Sequence, residues 1–221
     1  MKKIPFPEKS HSTYPHKINK PILSKIVTPA LKIGLTGGIG SGKTTVSEVF
    51  KKLGVPVFNS DDFGKQLLQH NTNIINQVVQ EFGDTIIDNK KINTRKLASI
   101  VFSDKDKIQT LNEIIHPHVI NQFEQLAQKT KKKYIIKESA ILFESNSYKK
   151  VNKIILVRAP LDIRMKRVCD RDNRTKEEVE KIIRNQINDT KLLKRVDYII
   201  NNNNELLTPQ IIKIDKILSN I

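Results

Sequence analysis

One run of eight residues has both the composition and the spacing to hold phosphate. Gly37-Gly38-Ile39-Gly40-Ser41-Gly42-Lys43-Thr44 satisfies G-x-x-x-x-G-K-[ST] in full. Its glycines let the main chain curl until successive N–H groups point inward, and a helix beginning at the same place adds partial positive charge. Lys43 supplies a point charge for β- and γ-phosphates, and the Thr44 hydroxyl suits Mg²⁺. A dinucleotide fingerprint fails, because the position of its third glycine holds Lys43. The run predicts a nucleoside triphosphate site made by Gly38, Ile39, Gly40, Ser41, Gly42, Lys43, Thr44 and Thr45.

Two further constellations follow. Asp61 stands just after the apolar run Val55-Pro56-Val57-Phe58, at the carboxyl end of a strand, where open α/β sheets place ligands. There it can accept the proton of an attacking hydroxyl or hold Mg²⁺ through water; a helix-capping carboxylate ahead of Phe63 is the competing account. Arg164, Arg167 and Arg171 are spaced three and four apart, an arc of about 60° on a helix. Like charges on one face repel, so the stripe invites an anion; a solvated face paired with Asp162, Asp170 and Asp172 competes. Thr175-Lys176-Glu177-Glu178 reads as a capping box opening a second helix. An arginine-bearing helical hairpin of this kind suits a lid over a transferring phosphoryl group, where closure excludes water. That combination points to a small-molecule kinase rather than a signalling GTPase, and no Asn/Thr-Lys-x-Asp guanine-recognition element stands where one is expected.

Short apolar strands must carry these residues: Leu31–Thr36, then Val55–Phe58, Tyr134–Ile136, Lys153–Val157 and Asp197–Ile200, with helical stretches between them. The pattern predicts an α/β fold with a five-stranded parallel sheet covered on both faces, and a polar helical section from Asp62 to about Ala127. Residues 1–30 differ, with five prolines, six lysines, one acid and no periodicity; they read as a disordered basic extension. The chain has 221 residues with 39 Lys+Arg against 23 Asp+Glu, a formal net charge of +16. Nucleic acid, small polyphosphate ligands or a generally lysine-rich composition each account for that excess. No Trp and 5% aromatics argue against a base-stacking surface, so no nucleic-acid partner is expected. No apolar run approaches the roughly 18 residues of a spanning helix, and Cys169 has no partner for an internal disulfide. A cytoplasmic protein without a membrane partner is the expectation; the oligomeric state is not legible.

Thr36 to Thr45 resembles the phosphate loop of dephospho-CoA kinases, and further matches follow in the same order. Val57-Phe58-Asn59-Ser60-Asp61 is similar to a strand ending in Asp-x-Asp, with Asn59 in place of the first Asp. Leu111-Asn112-Glu113-Ile114-Ile115-His116-Pro117 resembles the Leu-Asn-x-Ile-Ile-His-Pro segment, and Ala140-Ile141-Leu142-Phe143-Glu144 resembles Pro-Leu-Leu-Phe-Glu with Ala140 for Pro. Arg167 to Gln186 is similar to the family's lid. The resemblance covers about residues 31–205. It implies a P-loop NTPase three-layer sandwich with a helical acceptor-binding insertion and a helical lid, its core about 31–61, 116–160 and 192–221, its acceptor part about 62–115 and its lid about 161–191. It also implies transfer of the γ-phosphate of ATP to the ribose 3′-hydroxyl of dephospho-CoA, with Mg²⁺. Asp61 is then the base, Lys43, Arg167 and Arg171 contact the ATP phosphates, and Asn201 or its neighbour lies near adenine. Thr44 and Glu138 become the metal-site candidates, Glu138 through water. His116 is either a packed helix-start residue or part of the acceptor site, and Arg95 either meets the acceptor's phosphates or lies free on the surface.

Overall fold

Ile33 and Leu35 are fully buried at the centre of β1 (Leu31–Thr36), a strand too apolar to face water on either side. It is flanked by β5 (Tyr134–Glu138) and β6 (Lys153–Arg158), with β2 (Val57–Asn59) and β7 (Tyr198–Asn201) at the edges. The order is β2-β5-β1-β6-β7, and every pairing is parallel. Parallel neighbours require crossovers, which place helices on both faces. The structure is a computed structural model and describes residues 29–89, 91–101, 104–184, 186, 189–203 and 205–221. The expected basic extension lies outside these residues, apart from Pro29 and Ala30.

Strand alternation divides the core between the two faces. Ile33, Leu35, Ile136, Ile155, Val157 and Ile200 pack with Val46 and Phe50 of α1 (Lys43–Lys52) and with Ile211, Ile214 and Leu218 of α9 (Leu207–Ser219). Phe58 and Ile135 turn the other way, onto α2 (Ser60–His70), α3 (Thr72–Phe82), α4 (Thr94–Val101) and α5 (Lys105–Lys129). On that same face Ile154 and Leu156 meet Leu142, Phe143 and Leu192. A lid-like pair follows β6: α6 (Leu161–Asp172) and α7 (Lys176–Arg184), before the short α8 (Asp189–Leu192). The α/β three-layer arrangement and all five strands agree with the sequence reading.

The section expected to be helical from Asp62 to Ala127 is not continuous. A 3₁₀ turn at Asp84–Ile86 leads into a small antiparallel pair, β3 (Ile87–Asp88) and β4 (Lys91–Ile92). Asn89 at φ 48° makes the reversal between them, in the left-handed region that asparagine tolerates. His116 does not start a helix either: α5 runs 25 residues through Pro117, crossing the expected division at 115/116. Proline removes only the hydrogen bond to the carbonyl of Glu113, a loss the packing of Val119 and Phe123 outweighs.

Candidate active site

Register along the sheet brings three strand ends to one place. Leu35 pairs with Glu138 across β1 and β5, and Asn59 pairs with Glu138 across β2 and β5. The loop after β1, the start of α2 and the end of β5 therefore share the carboxyl edge of the sheet.

The loop from Gly37 to Gly42 turns back on itself through the Ser41 N–H, which donates to Gly38 O at 3.1 Å. Gly40 sits at φ 76° and Gly42 at φ 94°. A Cβ at Gly40 would stand 2.5 Å from the Arg164 carbonyl oxygen, and one at Gly42 would collide with the Asn202 amide, so glycine is demanded twice over. Distant segments brace this loop. Arg164 is buried and its Nε donates to Ile39 O at 2.9 Å, while the Ile39 N–H donates to Gln186 Oε1 at 2.8 Å. Asn202 Nδ2 donates to Ser41 O at 2.9 Å.

Lys43 opens α1, and its Nζ donates to Gly37 O at 2.7 Å. Burial pushes its pKa down, opposed by the charges of Asp61 and Glu138 and reinforced by Arg164 and Arg171. Thr44 Oγ1 donates to Glu138 Oε1 at 3.2 Å, and Ser47 Oγ donates to Glu138 Oε2 at 2.8 Å. Thr45 is exposed on the next position of the helix. Glu138 is only 4% exposed, so a hydroxyl and a buried carboxylate lie side by side where the loop meets the helix.

Asp61 does not cap α2. Asn59 does, its Oδ1 accepting from the N–H groups of Asp61 at 3.1 Å and Asp62 at 3.0 Å. The Asp61 side chain is thereby released, and its Oδ2 accepts from the Ala140 N–H at 3.1 Å. Burial pushes the Asp61 pKa up; the Ala140 N–H and then the charges of Lys43 and Lys65 pull it back. The carboxylate lines a pocket of about 240 Å³ between α2, α5 and the end of β5, together with Ser60, His116, Lys137 and Ser139. His116 reaches this pocket from mid-helix, its pKa lowered by burial and then by the Lys137 charge.

The three arginines part company. Arg164 goes to the phosphate loop, and Arg167 Nη2 donates to the backbone and side-chain oxygens of Asn202, each at 3.4 Å. Arg167 Nη1 is buried with no partner among the described residues and lies 4.0 Å from where a Gly42 side chain would begin. Arg171 forms a two-pronged pair with Asp172 at 2.7 and 2.8 Å on the surface. Arg95 is exposed at the start of α4, where Asn93 caps its N–H, and it is not among the residues lining the Asp61 pocket. Asn201 is tied by its main chain to Gln210 at 2.9 and 3.0 Å, so Asn202, not Asn201, presents its side chain to the phosphate loop. Sequence reasoning does not single out Lys137, Gln186 or Ser47, and through the resemblance it reaches Asn202 only as the neighbour of Asn201. Lys137 carries no mark in the sequence beyond its place at the end of an apolar run.

Among the described residues no group of three or more His, Cys, Asp or Glu is placed to hold a metal ion, and no helix is long and apolar enough to cross a membrane. Comparison with known proteins gives one consistent result. The dephospho-CoA kinase family model matches residues 31–208. A dephospho-CoA kinase of Fusobacterium nucleatum is 38% identical over 175 residues, 79% of this chain and 90% of that one. One from Bacteroides fragilis is 37% identical over 187 residues, 84% and 91% of the two chains. Among solved structures, one from Thermus thermophilus superimposes with a TM-score of 0.77 at 26% identity, covering 86% of this chain and 98% of that one. A dephospho-CoA kinase from Campylobacter jejuni gives a TM-score of 0.62 at 26% identity over 86% and 97%.

Proposed function

The chain belongs to the dephospho-CoA kinase family, and we infer that its own residues carry that family's reaction in the following way. The enzyme moves the γ-phosphoryl group of ATP to the ribose 3′-hydroxyl of dephospho-CoA, giving coenzyme A and ADP, the last step of coenzyme A synthesis. The observation that carries the assignment of roles is the shared sheet edge: the phosphate loop and the pocket of Asp61 open side by side, close enough for Lys43 and Asp61 to feel each other's charge.

ATP phosphates take the N–H groups between Gly38 and Thr45 that the loop leaves over, the ammonium of Lys43 and, once it gives up Gln186, the Ile39 N–H, with Arg167 added from α6. Unpartnered among the described residues, Arg167 Nη1 beside Gly42 is a donor free for a phosphate oxygen. Arg171 joins once it gives up Asp172, an exposed pair worth little. Asn202 and Asn201 border the nucleotide's base. Dephospho-CoA enters the Asp61 pocket, with His116 on its wall. The 3′-hydroxyl oxygen attacks the γ-phosphorus, the bond to the β–γ bridging oxygen breaks, ADP leaves, and the hydroxyl proton passes to Asp61. Arg95 meets the acceptor only if α4 moves toward the pocket. Mg²⁺ fits the residues present: Thr44 Oγ1 would bind it directly and Glu138 would hold one of its waters, the sparse protein contribution usual for magnesium on a nucleotide. When bound, it neutralises charge on the β- and γ-oxygens.

A coupled assay for ADP with dephospho-CoA, nucleosides and nucleoside monophosphates tests this function. Turnover confined to dephospho-CoA is expected; silence with dephospho-CoA and turnover with a nucleoside monophosphate overturns it.

A further inference from the structure

Lys137 is a buried charge that the reaction above leaves unused. It precedes Glu138 on β5, so strand alternation sends the two to opposite faces. Glu138 meets Thr44 and Ser47 of α1, whereas the Lys137 ammonium lies over the Phe123 ring of α5, 5.6 Å from its centroid. Lys137 is 2% exposed, and among the described residues its Nζ makes no hydrogen bond and no ion pair. The nearest acids are otherwise engaged: Glu124 accepts from Lys32 at 2.9 and 3.1 Å, and Asp61 accepts from Ala140. An ammonium has three donors, and here they open into a pocket instead of being sealed behind protein atoms. This one lines the same pocket as Asp61 and His116.

The charge balance of the pocket indicates what Lys137 meets. Burial pushes the Lys137 pKa down, opposed by the charges of Glu124 and then Asp61, and burial followed by the Lys137 charge disfavours the charged form of His116. An inner pocket with a donor on one side and an acceptor on the other suits the neutral hydroxyls of a sugar. A ribose presents two neighbouring hydroxyls on one face. We propose that Lys137 determines acceptor specificity: its ammonium donates to the acceptor's 2′-hydroxyl while Asp61 takes the proton of the 3′-hydroxyl, so the pair reads a cis-diol. This rests on dephospho-CoA being the acceptor.

The test compares dephospho-CoA with its 2′-deoxy analogue in the full chain. The unaltered protein favours dephospho-CoA in kcat/KM by about 10- to 100-fold, the range for one hydrogen bond to a charged group. Lys137→Met loses a similar factor on dephospho-CoA, leaves the 2′-deoxy analogue within about twofold, and leaves KM for ATP unchanged. Equal losses on both acceptors give Lys137 a structural role only and overturn the proposal. So does less than about twofold discrimination by the unaltered protein, a result independent of whether the variant folds. Absence of turnover with dephospho-CoA in the unaltered protein overturns the acceptor assignment itself, a distinct outcome that takes the proposal with it.

Discussion

At the scale of single residues, Asp61 depends on a main-chain group that side-chain chemistry does not advertise. Its place after a strand marks it in the sequence, whereas the Ala140 N–H that holds its Oδ2 shows there only as an alanine where the family pattern has proline. A proline there has no N–H to give. Asp61→Asn keeps the shape and removes the base, so kcat falls by about 10²- to 10⁴-fold while ATP affinity stays within a few-fold. Near-normal turnover in single-turnover kinetics would reject the role. Ala140→Pro removes a donor that favours the carboxylate form. The Asp61 pKa, already raised by burial, then rises further, and because the base acts deprotonated, the acidic limb of the kcat/KM profile moves to higher pH. An unmoved limb would show that this hydrogen bond does not tune the base. Lys137 escapes sequence reading because it is a lysine among many, and Asn202 is reached only as a neighbour because it is one of four consecutive asparagines.

At the scale of elements, what was legible was what local pattern controls. The five strands are short apolar runs, and the capping box opens α7 as spaced, with the Thr175 N–H donating to Glu178 Oε2 at 3.0 Å and the Glu178 N–H donating to Thr175 Oγ1 at 3.3 Å. The β3–β4 pair was not legible because two-residue strands carry no period-2 signal, and α5 was misread at His116 because Pro117 imitates a boundary that tertiary packing overrides. Asn59 shows how an element presents a catalytic group. By capping α2 it satisfies the N–H groups that Asp61 and Asp62 leave over, and it fixes the helix start at the end of β2, where Asn59 pairs with Glu138. Asn59→Ala therefore costs about 1 kcal/mol in urea unfolding, and Asn59→Ser, which keeps a cap acceptor without setting a second carboxylate beside Glu138, restores most of it. Equal stability of the Ala variant would mean that the cap is not what secures α2.

At the scale of the whole molecule, the phosphate loop is a meeting point of segments far apart in the chain. Arg164 and Gln186 reach it from the region after β6, and Asn202 reaches it from the end of β7. A nucleotide bound there engages groups that exist together only in the folded state, so its binding energy adds to folding stability. ATP with Mg²⁺ at about 100 times its Kd adds roughly 2.7 kcal/mol, which for a chain of this length raises Tm by about 5–11 °C. Lys43→Ala removes the buried ammonium from the phosphate site while leaving the apolar face of α1 in place. The variant should melt close to the unaltered protein without ligand and lose most of the shift with ATP. A full ATP shift in Lys43→Ala, read by calorimetry, would place the nucleotide elsewhere. The +16 charge supplies a second arm to the same measurement, since attraction to any polyanion fades with salt. If the built loop is what stabilises the fold, the ATP shift persists at about 0.5 M NaCl, where the surrounding field is screened to a few ångströms.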